Sequence, residues 1–307
     1  MKTVLRRIFP SLSRDWRFLR VKEINLRSKL ALTAAKYVFR VPGLGGRDRS
    51  REFSLNGRGF RFASGMDLSH LQHVILDVRA IVDACELRKR SNVMVVDIGA
   101  HDGETAVAFD LFLPGAVIYS FEPNPECYQR AVANTAGRGV RLFNVGLSDH
   151  TGLETFVADP GWDAKSTFEL DGLSGAGRRL PVARGDDLID LSRIDLLKID
   201  VEGYEGHVLR GLDGILHRVD HLAIEWSLGR AKDNSFRDLA EILSRHNFDL
   251  IRTSEPSYDE DGRTQITIEM YFRRVLPSPS AALRAKAGPE VGAPLIQAIV
   301  QGAKPGD

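Results

Sequence analysis

The chain has 307 residues, 43% hydrophobic and 27% charged, with a formal net charge of +1. That is enough apolar material for one large core, while no apolar run reaches the roughly eighteen residues that a membrane span needs. Two cysteines, Cys85 and Cys127, are too few for a disulfide framework; they predict small buried hydrophobes in a reducing, cytoplasmic setting.

The charge is unevenly placed. Residues 1–52 carry fourteen Lys and Arg against four Asp and Glu, a balance of +10, with Leu, Phe and Val between the cations. No secretory h-region is present. Residues 1–60 are therefore expected to form a basic helical extension. It would pack on the rest of the protein, or touch an anionic membrane surface or an acidic partner. A basic arm alone is not a recognition module and the remainder is acidic, so nucleic acid is not expected as a partner.

From about residue 61 the pattern becomes periodic. MDLSHLQHVILDVRAIVDACELRKR repeats apolar residues at three and four, which predicts one or two amphipathic helices. VMVVDIG, AVIYSFEP, VRLFNVGLS, IDLLKIDVEG and HLAIEWS follow as strands, separated in part by the helical stretches TAVAFDLFL, ECYQRAVANTA and EGHVLRGLDGILHRV. Between residues 149 and 188 lie shorter strand-like runs expected in a hairpin or meander. SFRDLAEILSRHN is a further helix, and FDLIRT with TIEMYFRRV makes a closing pair. Strands alternating with helices predict a Rossmann-like, doubly wound, mostly parallel α/β sheet over residues 61–275, with an antiparallel edge. Residues 276–307, rich in Pro, Ala and Gly, are expected to be a flexible tail.

The stretch VVDIGAHDGE, residues 95–104, carries the first chemical signal. A strand running into a glycine turn at the start of a helix is the usual place for a nucleotide phosphate. Against the dinucleotide pattern G-x-G-x-x-G, however, the second and third positions fall on His101 and Glu104. Asp97 and Asp102 would also oppose a pyrophosphate. A ligand with a cationic centre and an amino group suits these acids better, and S-adenosylmethionine is one. Gly99, Ala100 and Gly103 would let the backbone approach it. Glu122 ends the second strand, where an acid commonly accepts hydrogen bonds from ribose hydroxyls.

VVDIGAHDGE, FEPNP, NVGLSD, GDDLI, LLKIDVEGYE and LAIEWS, in this order, resemble the FkbM-type methyltransferase family over about residues 90–275. The resemblance implies a class I S-adenosylmethionine-dependent methyltransferase with a seven-stranded sheet, acting chiefly on hydroxyl oxygens of sugars and natural products. It implies that Asp97, Gly99 and Gly103 shape the methionine end of the cofactor site and that Glu122 binds ribose. Asn144, Ser148 and Asp149 would fall on the adenine side.

In LLKIDVEG, strand alternation places Lys198, Asp200 and Glu202 on one face. They could form structural ion pairs, or the two acids could stand beside the transferred methyl group. An alcohol is a poor nucleophile until its proton is leaving, so a base is expected there. Asp200 and Glu202 are the leading candidates, then His101; His207 reads as a surface or packing residue. Asp200, Glu202, Glu205 and His207 offer a lesser alternative as an oxygen-rich metal site, and no metal is expected. The acceptor pocket is expected from residues 149–188, with Trp162, Lys165, Arg178, Arg179 and Arg184, and from the segment before Val93. The acceptor would be a small molecule or glycan bearing a hydroxyl. The competing readings are a nicotinamide-dependent oxidoreductase or epimerase on a similar fold, and a binding protein that keeps the sheet without catalysis.

Overall fold

The computed structural model describes residues 13–38, 51–62, 65–157, 167–168, 177–228, 235–254, 257–258 and 266–275. The expected tail at 276–307 lies outside them.

The described residues begin with two helices, α1 (residues 13–19) and α2 (Leu26–Val38), and a hairpin of β1 (Arg51–Leu55) and β2 (Arg58–Phe62). Helix α3 (Gly65–Ala84) leads to β3 (Met94–Ile98), α4 (Glu104–Phe112), β4 (Val117–Phe121), α5 (Pro125–Thr135) and β5 (Val140–Phe143). The middle section holds β6 (Gly146–Ser148), β7 (Gly152–Val157), β8 (Thr167–Phe168), β9 (Arg178–Arg184) and the short α6 (Gly185–Leu188). Then come β10 (Ile194–Ile199), α7 (Glu205–Gly211), β11 (Val219–Leu228), α8 (Phe236–Arg245), β12 (Phe248–Thr253), β13 (Ser257–Tyr258) and β14 (Ile266–Arg274).

The main sheet has the order β12-β14-β11-β10-β3-β4-β5, with β13 attached to β14. The strands from β11 to β5 pair in parallel. The closing pair forms the other edge, and its antiparallel member β14 lies one place inside, between β11 and β12. The crossover through α8 sets β12 down parallel but one strand-width away. The hairpin return then fills the gap.

VRLFNVGLS does not run as one strand. The Asn144 amide donates to the Glu122 and Pro123 carbonyls, at 2.9 and 3.1 Å, and the chain turns there. Residues 140–143 stay in the main sheet, and 146–148 join a second sheet of order β6-β9-β7-β8. Helix α7 crosses this second sheet so closely that a Cβ on Gly211 would lie 1.8 Å from the Ser148 carbonyl oxygen.

Alternation along the central strands sorts the core into two layers. Val96, Ile98, Leu197, Ile199, Leu222, Ile224 and Trp226 pack toward α7, α8 and the second sheet. Val95, Leu196, Ala223 and Tyr271 pack toward α3 and α4. The latter core continues without a break through Phe18, Val21, Ile24 and Leu32 of the N-terminal segment and through Leu55, Phe60 and Phe62 of the hairpin. The division at residue 60 drawn from composition thus cuts through a hairpin, and both sides of the cut share one core. Asn134 on α5 adds a tie, exchanging two hydrogen bonds with the Arg61 backbone and a third with the Asp102 carbonyl.

A shared core predicts shared unfolding. Phe18→Ala should lower the stability of the whole chain by about 3 kcal/mol, seen in urea as one transition moving to lower denaturant. An early, separate N-terminal transition would show that the helices are an independent appendage.

Candidate active site

Strand β3 ends in a loop whose donors are already engaged. The Gly99 and Ala100 N–H groups both reach the Phe121 carbonyl at 3.0 Å, and the Gly103 N–H reaches the Ala100 carbonyl at 2.8 Å. The His101 N–H donates to Glu122 Oε2 at 2.8 Å. Four N–H groups that a phosphate could use are thereby spent, and the acids of the loop oppose an anion as well.

The glycines serve the fold first. Gly99 has φ +89°, and a Cβ there would stand 1.8 Å from the Asp200 carbonyl oxygen. The ends of β3 and β10 touch backbone to backbone, and only glycine fits between them. Gly103, at φ +82°, sits against Ala131 and Thr135 of α5.

Beyond these strand ends lies a cavity of about 870 Å³. Gly99, His101 and Glu104 line it from the loop, and Glu122 from the end of β4. Helix α3 contributes His70, His73 and Asp77; α1 contributes Arg14 and Arg17. The second sheet supplies an apolar wall of Leu147, Phe156 and Phe168, completed by Tyr204. The Phe168 ring packs edge-on to Phe156 and tilted against Tyr204, whose ring stacks on His207. Asp200, Glu202, Glu225 and Glu269 are the acids on the β10, β11 and β14 side.

Those last acids belong to a row that the sheet register creates. On the α3 face, Val95, Leu196 and Ala223 are apolar. Two residues further along β3 and β10 come Asp97 and Lys198, on a rung whose β11 member is still Ala223, and Glu225 lies two residues beyond Ala223. Asp97 pairs in register with Lys198 and Ser120, and Glu225 directly faces Glu269. Lys198 Nζ holds Asp200 Oδ2 at 2.7 Å. Burial opposes the charge on Lys198, but Asp200 and Asp97 outweigh it and hold its pKa above the usual value. Burial first, then the charges of Asp200, Glu202 and Glu269, raise Glu225 well above the ordinary carboxylate range. Glu269, hydrogen-bonded by the Tyr271 hydroxyl, is raised by burial as well.

Asp97 itself does not line the cavity. It is fully buried, accepts a hydrogen bond from the Ser120 hydroxyl at 3.2 Å, and is pushed up to about 7, chiefly by burial. Asp102 also faces away from the cavity, pairing with Arg130 Nε at 2.8 Å beneath α5. Asn144, Ser148 and Asp149 are likewise absent from the cavity wall. Asn144 holds the turn, Ser148 bonds the Tyr204 hydroxyl at 2.9 Å, and Asp149 collects His207 and Arg210 at 2.9 and 3.0 Å. Their neighbours Gly146 and Leu147 take the place on the wall expected of these three.

The three proposed catalytic side chains do meet in one cavity, but in different states. His101 accompanies Glu104, with Nδ1 to Oε1 at 3.0 Å. Burial disfavours its charge, yet Glu104 prevails and keeps its pKa well above normal. That shift favours the protonated form, in which an imidazole donates rather than accepts. Asp200 and Glu202 stand in the same cavity as the carboxylate candidates. Glu202 adopts φ +56°, so the strand alternation read through it ends before it does.

Among the described residues two groups bring three ligand atoms within 4.8 Å of one another: Asp200, Glu202 and Glu225, and His101, Asp102 and Cys127. Glu205 and His207 stand apart from both. Glu205 accepts the Gly203 N–H at 2.8 Å, and His207 belongs to Asp149. Arg178, Arg179 and Arg184 are occupied by Glu126, the Leu153 carbonyl and Asp186. Trp162 and Lys165 lie outside the described residues.

Sequence reading missed Asp77, Glu225 and Glu269 as cavity residues. The signal for the latter two was present, as a lone acid inside the apolar runs LAIEWS and TIEMYF.

The chain matches the family described as methyltransferase FkbM domain over residues 97–250. Among characterised relatives, the AMB antimetabolite synthetase AmbE of Pseudomonas aeruginosa is 28% identical over 290 residues, 73% of this chain and 13% of the relative. The hexuronic acid methyltransferase AglP of Haloferax volcanii is 28% identical over 153 residues, 48% of this chain and 60% of the relative. The 2-O-methyltransferase NoeI of Sinorhizobium fredii is 29% identical over 165 residues, 46% of this chain and 66% of the relative. The chain thus spans a small fraction of the first and under two thirds of the other two.

The acid row has a measurable consequence without ligand. Asp77 is pushed up to about 8, first by burial and then by Glu269. A carboxyl that ionises freely when unfolded but resists ionising when folded loses stability as pH rises from about 4 through 8, and no more above that. Asp77→Asn should therefore gain on the parent chain in melting temperature over that window and keep a constant margin beyond it. Parallel melting curves across the series would remove Asp77 from the coupled row.

Proposed function

The chain belongs to the FkbM methyltransferase family, and from that premise we propose that it transfers a methyl group from S-adenosylmethionine to a hydroxyl oxygen of a sugar, glycan or natural-product acceptor. The observation that carries the cofactor reading is Glu122. Its two oxygens are held by the His101 and Asn124 N–H groups at 2.8 Å each, and it lines the cavity at the end of β4. A carboxylate so fixed has lone pairs left for a pair of vicinal hydroxyls. The spent loop donors and the anionic floor favour a cationic ligand over a dinucleotide, which weighs against a nicotinamide enzyme.

The bound cofactor supplies an electrophilic methyl group. The chain's residues do the rest. Glu122 fixes the ribose, and the apolar wall of Leu147, Phe156 and Phe168 excludes water. Asp200 or Glu202 takes the proton from the acceptor hydroxyl as the oxygen becomes nucleophilic. Lys198 orients Asp200 through the 2.7 Å pair. Holding the oxygen in line with the methyl carbon supplies much of the remaining acceleration. Oxygen as the methylated atom, and a sugar as its carrier, are supported by relatives named a 2-O-methyltransferase and a hexuronic acid methyltransferase.

Calorimetric titration with S-adenosylmethionine, S-adenosylhomocysteine and NAD tests the cofactor. The first two should bind and NAD should not; binding of NAD alone would reverse the reading. A turnover assay with hydroxylated sugars then separates an enzyme from a binding protein.

Two substitutions divide the labour. Glu122→Ala should weaken S-adenosylhomocysteine binding by at least ~10-fold, the loss of a charged hydrogen-bonding partner. Asp200→Asn should leave that binding within about 3-fold and lower kcat by ~100-fold, the usual scale for a general base. An Asp200→Asn enzyme impaired in binding alone would take Asp200 out of the chemistry.

A further inference from the structure

The N-terminal helices bury one side deeply and show solvent a very particular other side. Phe18, Val21, Ile24 and Leu32 are in the core, so α1 and α2 are firmly seated. Outward stand Trp16, Leu19, Leu26 and Leu30, with 54%, 37%, 67% and 55% of their surface exposed. No other stretch of this length among the described residues exposes as many large apolar side chains. Leu26 and Leu30, four apart on α2, share one helical face.

The charges on these helices are as selective. The exposed ionisable residues between 13 and 34 are Arg20, Lys22 and Arg27, together with Arg17 at the cavity rim, all cationic. Both acids of the stretch are withdrawn. Asp15 is buried and accepts a hydrogen bond from the Gln72 amide at 3.0 Å. Glu23 is paired with Arg88 at 2.7 Å. The Arg20 guanidinium lies over the Trp16 ring, 3.3 Å from its centroid, an arrangement suited to the boundary between water and acyl chains. Residues 1–12 precede this face in the chain and add Lys2, Arg6 and Arg7 without an acid.

We propose that α1 and α2 dock this protein on an anionic lipid bilayer, lying in the interface without crossing it. No helix among the described residues is long and apolar enough to span a membrane. Apolar side chains interleaved with cations, with both acids of the stretch withdrawn, complement acyl chains and anionic headgroups together. A purely electrostatic partner such as nucleic acid would leave Trp16, Leu26 and Leu30 without a role. The inference rests on this face alone and holds whatever acceptor the cavity takes.

The test is co-sedimentation of the full chain with vesicles of phosphatidylcholine, or of phosphatidylcholine with phosphatidylglycerol. Binding to the anionic vesicles should exceed that to neutral ones by at least ~10-fold and fall several-fold in high salt. The variant Trp16→Ser, Leu26→Ser, Leu30→Ser and the variant Arg20→Gln, Arg27→Gln should each lose about 10-fold of that binding. Both should keep the parent's melting temperature and its S-adenosylhomocysteine affinity, so that a failure of docking is separate from a failure of the cofactor reading. Should the serine variant not fold, the arginine variant and the salt series still decide. Equal binding to both vesicle types, no binding, or variants that bind like the parent would overturn the proposal. So would a parent dimer that the serine variant abolishes, or a DNA duplex bound in place of vesicles.

Discussion

A buried ammonium on the central strand is the condition for everything around it. Lys198 stands between Asp97 on β3 and the Asp200 carboxylate, and its charge also bears on Asp77, Glu225 and Glu269. Unpaired acids in such a place would disrupt the sheet, since a buried charge without a partner costs several kcal/mol or about that order. With Lys198 present, the strand ends can turn from apolar to ionic while the rungs below stay a conventional core. Asp200, Glu225 and Glu269, just beyond the Lys198 rung, line the cavity. The strands supply rigidity beneath it, and α3 closes it from above.

Much of this was legible in the chain. The continuous apolar runs announced β3, β10 and β11, because strands covered on both faces need no polar alternation. The failed dinucleotide pattern at residues 99–104 pointed away from phosphate, and the spent N–H groups give that exclusion a geometric basis. Less legible was anything that depends on register between distant segments. The facing of Glu225 and Glu269 joins positions 44 residues apart through an antiparallel pairing, which no local pattern specifies. The direction of a loop side chain was equally hidden. Asp102 and Glu104 are near neighbours of like charge, yet one turns beneath α5 to Arg130 and the other to His101 at the cavity.

Composition divided the chain where the fold does not. The first 60 residues look foreign to the rest because of their charge, but charge describes the surface and the core ignores it. Phe18, Leu32 and Phe60 interleave with α3, and Asn134 ties the hairpin to the loop after β3. The basic segment thus frames the cavity while it faces solvent, with Arg14 and Arg17 on the cavity wall and Trp16 of the same helix exposed.

The direct opposition of Glu225 and Glu269 has a consequence for how the cleft is filled. Two carboxyls that face each other repel when both are ionised, which, added to burial, raises Glu225 and favours the protonated form of the pair. A cation entering the cleft takes over the neutralising role those protons play, and the protons are then free to leave. Uptake of a cation would then be coupled to release of a proton, so the charge of the filled cleft would change less than the charge of the ligand alone.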